Sequence, residues 1–141
     1  MEAMTTDANV QLVRDLTKEV YTDHKLDAAT KYYADDAVFI RSGSEPRDLE
    51  EMLAGLREFF AAFPDIGGDV ADVVAQDDKV AYRFVATGTH DGKYQGIEST
   101  GAEIEIEGVN FCRIRDGKIV EVWSLSDQFG LRQQLDASTG E

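Results

Sequence analysis

Apolar side chains recur on two different periods along this chain, and the change of period divides it. Over residues 7–22 they return every three or four positions, as Val10, Val13, Leu16 and Val20, with Thr6 or Asp7 placed to cap the start, which predicts an amphipathic helix. A shorter helix is expected over 27–33. Behind the turn signal Asp35-Asp36, the run Ala37-Val38-Phe39-Ile40 predicts a first strand. The strongest helical signal follows in RDLEEMLAGLREFFAAFP. There Leu49, Met52, Leu53, Leu56, Phe59, Phe60 and Phe63 share a face, Asp48 and Glu51 have capping-box spacing, and Pro64 ends the helix. Beyond Ile66 the period is two. Strands are expected over 70–75, 79–89, 102–115 and 118–126, the last two joined as a hairpin by Asp116-Gly117, and FGLRQQL closes the chain with a short helix or covering segment.

Helices first and antiparallel strands afterwards predict an α+β fold with the helices on one face of the sheet. A Phe-rich helix facing a strongly bent sheet would leave a cone, packed at its narrow end and hollow at its mouth. Alternation sorts the strand faces. Val80, Tyr82, Phe84, Ala86 and His90 form the better core face of their strand, and the glutamates at 103, 105 and 107 turn Asn110 and Cys112 inward unless a bulge at Gly108 changes the phase. The last strand is mixed on both faces: Ile119, Glu121, Trp123, Leu125 and Asp127 lie opposite Val120, Val122, Ser124 and Ser126. If Trp123 and Leu125 look inward, Asp127 reaches the mouth of the hollow; a bulge reverses this.

At 141 residues the chain suits one domain, 1–141, with one core. No apolar run approaches the ~20 residues that span a bilayer, and the N-terminus has no basic-apolar signal segment, so a cytoplasmic protein away from membranes is expected. With 28 acidic against 14 basic side chains the formal charge is −14, a field that repels nucleic acid and anionic lipid. The acidic residues are spread along the chain, as on proteins of halophiles. A single cysteine, Cys112, excludes an intrachain disulfide, and two separated histidines, His24 and His90, argue against a metal site.

Taking a proton from carbon beside a carbonyl needs a base within hydrogen-bond reach and a donor for the enolate oxygen. Asp127, near Trp123, Leu125 and Phe129, is the candidate base; burial that raised its pKa by two units would cost about 2.7 kcal/mol. By spacing alone the commoner role for such an aspartate is an exposed cap on the tail helix. His90 is a candidate donor to an oxyanion or partner of the carboxylate, against a loop histidine bonded to backbone. Asn110 is a candidate amide donor to a substrate carbonyl, against a satisfied core amide. Tyr33, Phe59, Tyr82 and Phe84 are candidate pocket walls, and Trp123 a packing residue or a wall for a flat ligand.

The strings GTHDGKYQGIESTG and GVNFCRIRDGKIVEVWSLSDQFGLRQQL resemble the second half of the SnoaL-like polyketide cyclases, or ester cyclases, of the nuclear transport factor 2-like superfamily. The ordered set G-T-H-x-G, R-x-x-D-G-K-I-V-E-x-W and D-x-x-G-L-x-x-Q-L carries the likeness, and YYADDAVF and FFAAFPDI extend it through most of the chain. The resemblance implies a cone-shaped α+β barrel, a small hydrophobic substrate, and an intramolecular aldol closure without metal or organic cofactor. It places Asp127 at the family's acid/base position and implies a homodimer formed through the sheet. A sequestering protein that binds without turnover is the alternative on the same fold. The chain departs from the family at Glu98-Ser99, where Pro-Pro is common, and at Asp136, where glycine is usual.

Overall fold

A computed structural model describes residues 2–139, with side chains over 6–137. Helix α1, Glu2–Leu16, runs on into a turn of π-helix at Thr17–Thr22 and a 3₁₀ turn at Leu26–Lys31. Strand β1, Tyr33–Arg41, leads to helix α2, Leu49–Ala62, and then come β2 (Gly67–Gln76), β3 (Lys79–Thr89), β4 (Glu103–Arg115), β5 (Lys118–Ser126) and helix α3 (Gln128–Thr139). The α+β expectation holds, and both capping-box bonds of α2 form: Glu51 N–H donates to Asp48 Oδ1 at 2.8 Å and Asp48 N–H to Glu51 Oε1 at 3.0 Å.

The five strands form one curved, unclosed sheet in the order β1-β5-β4-β3-β2, antiparallel except where β1 runs parallel to β5. β1 begins at Tyr33, earlier than the apolar run suggests. Asp35 and Asp36 lie within it, exposed, where the register against β5 slips between Tyr33 and Val38, so they mark an irregular strand rather than a turn before one. The β4–β5 hairpin turns through Asp116 (φ 52°) and Gly117 (φ 76°), the two left-handed positions that a tight hairpin turn requires.

Two apolar clusters fill the concave side. One packs Val13, Leu16 and Val20 of the N-terminal helix against Val80, Cys112, Ile119 and Val122; the other joins Ala62, Phe63 and Ile66 to Ile104, Ile106, Leu131 and Leu135. Each fully buried Val, Leu, Ile or Phe among them contributes about 1.5–3 kcal/mol. The inward phase of β4 is as expected, with no slip at Gly108.

β5 differs. Arg113 pairs with Glu121 but Ile114 with Ile119, so Val120 is an extra residue with no partner on β4. The bulge lets Ile119 and Val122 both point inward, and Ser124 and Ser126 follow Val122. Trp123 and Leu125 are thereby turned to the convex face, where they stand 52% and 64% exposed.

Candidate active site

Between α2 and the concave face lies a cavity of about 770 Å³, within the range that holds small organic ligands. Its walls are mostly apolar: Phe39, Met52, Leu56, Phe59, Phe60, Phe84, Ile106 and Val122 all contribute. Polar groups gather at its two ends.

At the buried end the phenols of Tyr21 and Tyr33 share a hydrogen bond of 2.7 Å. Beside them Asn110 Nδ2 donates to the Tyr82 hydroxyl at 3.0 Å. Burial pushes the Tyr21 phenol up to about 12 and holds Tyr33 and Tyr82 well above their ordinary range, so all three stay protonated, and the shared bond occupies one of the two O–H groups of Tyr21 and Tyr33. Asn110 Oδ1 is buried with no hydrogen-bond partner among the described residues. The amide therefore offers an acceptor as well as the donor that the sequence suggested, since Nδ2 carries a second hydrogen.

The exposed end carries Arg41, Arg47, Glu58, Lys93, Gln95 and Gln128. Glu58 is the one carboxylate among the described lining residues.

Tyr33, Phe59, Tyr82, Phe84 and Asn110 line this cavity together. Trp123 does not: the bulge at Val120 puts it on the opposite side of the sheet, which corrects its reading as a pocket wall. Asp127 is exposed, and its Oδ1 accepts the backbone N–H of Gly130 at 2.7 Å. That is the helix cap that spacing suggested, and an apolar hollow around this carboxylate is not what surrounds it. Its chain neighbours Ser126 and Gln128 both reach the cavity.

His90 is fully buried in the second cluster, its ring 5.4 Å from that of Phe63, and is not among the cavity's lining residues. Thr100 N–H donates to His90 Nδ1 at 3.2 Å, and the Thr100 hydroxyl lies 2.9 Å from the same nitrogen while accepting the N–H of Ala102. Nδ1 is thus an acceptor and the proton of the neutral ring sits on Nε2, which is buried without a partner among the described residues. Backbone bonds from His90 to Ala102 O and from Gly101 to His90 O pin the same loop. Here His90 holds the β3–β4 connection in place, close to its loop-histidine reading.

Sequence reasoning missed Tyr21, Arg41 and Arg47. Tyr21 stands four residues after Thr17, which also lines the cavity, so the edge of the first helical stripe carried a signal for it. Arg41 continues the inward row of β1 two residues past Phe39, opposite Ser124. Arg47 is placed by a long-range bridge to Phe39 that no local pattern announces.

A model of the SnoaL-like polyketide cyclase family matches residues 11–135. Among solved structures, IdmH of Streptomyces antibioticus, assigned as a polyketide cyclase, is 32% identical, with 94% of this chain covering 99% of that one at a TM-score of 0.79. AclR of Streptomyces galilaeus, assigned as a hydroxylase, is 25% identical over 94% of this chain and 83% of its own, with a TM-score of 0.87. A protein of Jannaschia sp. CCS1 assigned as a SnoaL-like polyketide cyclase has a TM-score of 0.85 at 21% identity, covering 94% of each chain, and that likeness speaks to the fold alone. None of the curated proteins matches. The family's match over most of the chain agrees with the curved sheet and the cavity between it and α2: the chain belongs to the SnoaL-like polyketide cyclases.

Proposed function

We propose that the protein is a cyclase acting on a small, flat, hydrophobic carbonyl substrate by acid/base, aldol-type ring closure. The observation that carries this reading is the set of protonated phenols at the buried end of an otherwise apolar cavity. Such donors bind a carbonyl oxygen and bind it more strongly as it gains charge, which lowers the barrier to enolate formation. In the proposed step a base removes a proton from carbon between two carbonyls. The resulting carbanion attacks a second carbonyl of the same chain, and the new alkoxide takes a proton. Asn110 Oδ1 is suited to accept a hydrogen bond from an enol or hydroxyl of the substrate.

Asp127 is the proposed base, since it stands between two mouth residues and at the family's motif position. Its exposure and its bond to Gly130 suit a substrate whose carbon acid is already activated by flanking carbonyls. The same two facts favour a second reading, a protein that sequesters such a molecule without converting it. AclR, on this fold and assigned as a hydroxylase, supports keeping reaction and fold separate.

The test is turnover of an aromatic poly-β-carbonyl ester, followed by absorbance and mass. Cyclisation by the wild type is expected, with a fall of about 10²–10³ in kcat for Tyr33→Phe, the usual loss for one oxyanion donor, and a comparable or larger loss for Asp127→Asn. A wild type that binds every ester tried and converts none selects the sequestering reading.

We further propose a homodimer through the convex face. Phe111 and Trp123 are paired across β4 and β5, as are Val109 and Leu125, and all four are exposed large apolar side chains on one surface. Light scattering should give twice the monomer mass, and Trp123→Glu should halve it. A monomeric wild type removes the proposal.

A further inference from the structure

The mouth of the cavity holds an arginine whose setting the reaction proposed above does not use. Arg47 lies in the segment between β1 and α2 and is anchored by two backbone hydrogen bonds to Phe39, each 2.9 Å. Its side chain passes over α2 at Gly55, where a Cβ would stand 3.0 Å from one guanidinium nitrogen. A glycine inside a helix costs about 1 kcal/mol relative to alanine, so this notch works against the helix and in favour of the arginine's position.

The guanidinium has no ion pair or hydrogen bond with a side chain among the described residues, although it is half-buried and burial lowers its pKa. Glu51, the acid that favours its charge, spends an oxygen on the cap of α2. A half-buried cation with no side-chain partner keeps its N–H donors open to an incoming anion. Arg41 adds a second guanidinium on the same rim, near enough to disfavour the charge on Arg47. Lys93 is already paired, with Glu98 at 3.4 Å. The two arginines stand beside Glu58, the one carboxylate among the described lining residues, on a protein whose formal charge is −14.

We propose that Arg47, assisted by Arg41, is an anion subsite at the cavity mouth, and that the substrate is a flat hydrophobic carbonyl compound carrying a single carboxylate. The fork of a guanidinium matches the two oxygens of a carboxylate. The proposal rests on the cavity being the substrate site. It adds orientation: the carboxylate sits at the mouth and the carbonyls point toward the phenols of Tyr21, Tyr33 and Tyr82.

The test uses two probes of one shape, anthraquinone-2-carboxylate and its methyl ester, titrated by tryptophan quenching or calorimetry. The acid should bind about tenfold more tightly than the ester, the equivalent of one charge-assisted hydrogen bond. Arg47→Gln should remove that preference, costing the acid about tenfold more affinity than the ester, with Arg41→Gln removing part of it. Gly55→Ala should lower the preference while raising thermal stability, an outcome that a folding defect cannot imitate. Raising salt from 50 to 500 mM should weaken the acid and spare the ester. If acid and ester bind alike and Arg47→Gln changes neither, the subsite is wrong and the hydrophobic cavity stands. If neither probe binds at all, the cavity reading fails and takes the subsite with it.

Discussion

Gly108 is the place where the cavity wall tolerates least. It sits in the middle of β4, paired with Phe84 on one side and Ser126 on the other. Replacement by alanine would put a Cβ 2.4 Å and 2.6 Å from two carbons of the Phe84 ring and 2.9 Å from the carbonyl oxygen of Leu125. Carbon atoms in contact sit about 3.5–4.0 Å apart, so the ring must retreat by about 1–1.5 Å. The carbonyl belongs to a strand held by its pairing with β4, where Leu125 faces Val109, and cannot follow, which leaves the ring only the cavity to move into. Overpacking of this kind costs about 1–3 kcal/mol, while the stiffer unfolded chain of a Gly→Ala change returns about 0.4–1 kcal/mol. The expected net loss for Gly108→Ala is about 1–2 kcal/mol, read as a lower urea midpoint at unchanged slope. Binding of hydrophobic probes should weaken in parallel, because the displaced ring occupies their space. Phe84→Leu in the same chain should recover part of both losses, giving a coupling of about 0.5–3 kcal/mol in a double-mutant cycle. A Gly108→Ala protein as stable as the wild type, with its ligand affinity intact, would show that this glycine does not exist to seat the Phe84 ring.

Asp48→Ala removes one half of the α2 cap and should cost about 1 kcal/mol in a thermal or denaturant melt. Stability should also fall in alkali. Tyr21 and Cys112 are held at about 12 in the folded protein against ordinary values of 10.0 and 9.0, so the unfolded chain loses these protons first. Their contribution is complete below about pH 9 and fades between about 9 and 12, and Tyr21→Phe should flatten part of that decline. Cys112, buried beside Tyr82 with its thiol pushed up to about 12, should react with an aromatic disulfide reagent only as fast as the protein unfolds.

Where local rules agreed, the residues announced their structure. Asp48 and Glu51, the apolar stripe to Phe63 and Pro64 all point to one helix, and α2 has that cap and that end. In β4 three glutamates alternate with isoleucines, and the wet face is the one they occupy. The failures have tertiary causes. Ile119-Val120-Glu121-Val122 alternates equally well in either phase, so the bulge that decides which side Trp123 faces has no local signature. The π-turn at Thr17–Thr22 is likewise silent in the apolar spacing. Asp127 could be placed at the end of its strand, yet whether a carboxylate there meets water or a hollow depends on how α3 starts, and α3 starts on that carboxylate. Arg47 draws its position from Phe39 and its clearance from Gly55, neither adjacent in sequence.

The order β1-β5-β4-β3-β2 also says something about synthesis. β1 leaves the ribosome first of the five strands, but the strand it zips onto is the last of them to be made, so its inner edge waits unpaired while about 80 further residues are added. At about 5–20 residues per second that is a window of several seconds in which a sticky β-edge is open to other nascent chains. Any stop before Lys118 makes the window permanent, and such fragments are expected to clump or be degraded rather than accumulate as stable smaller proteins.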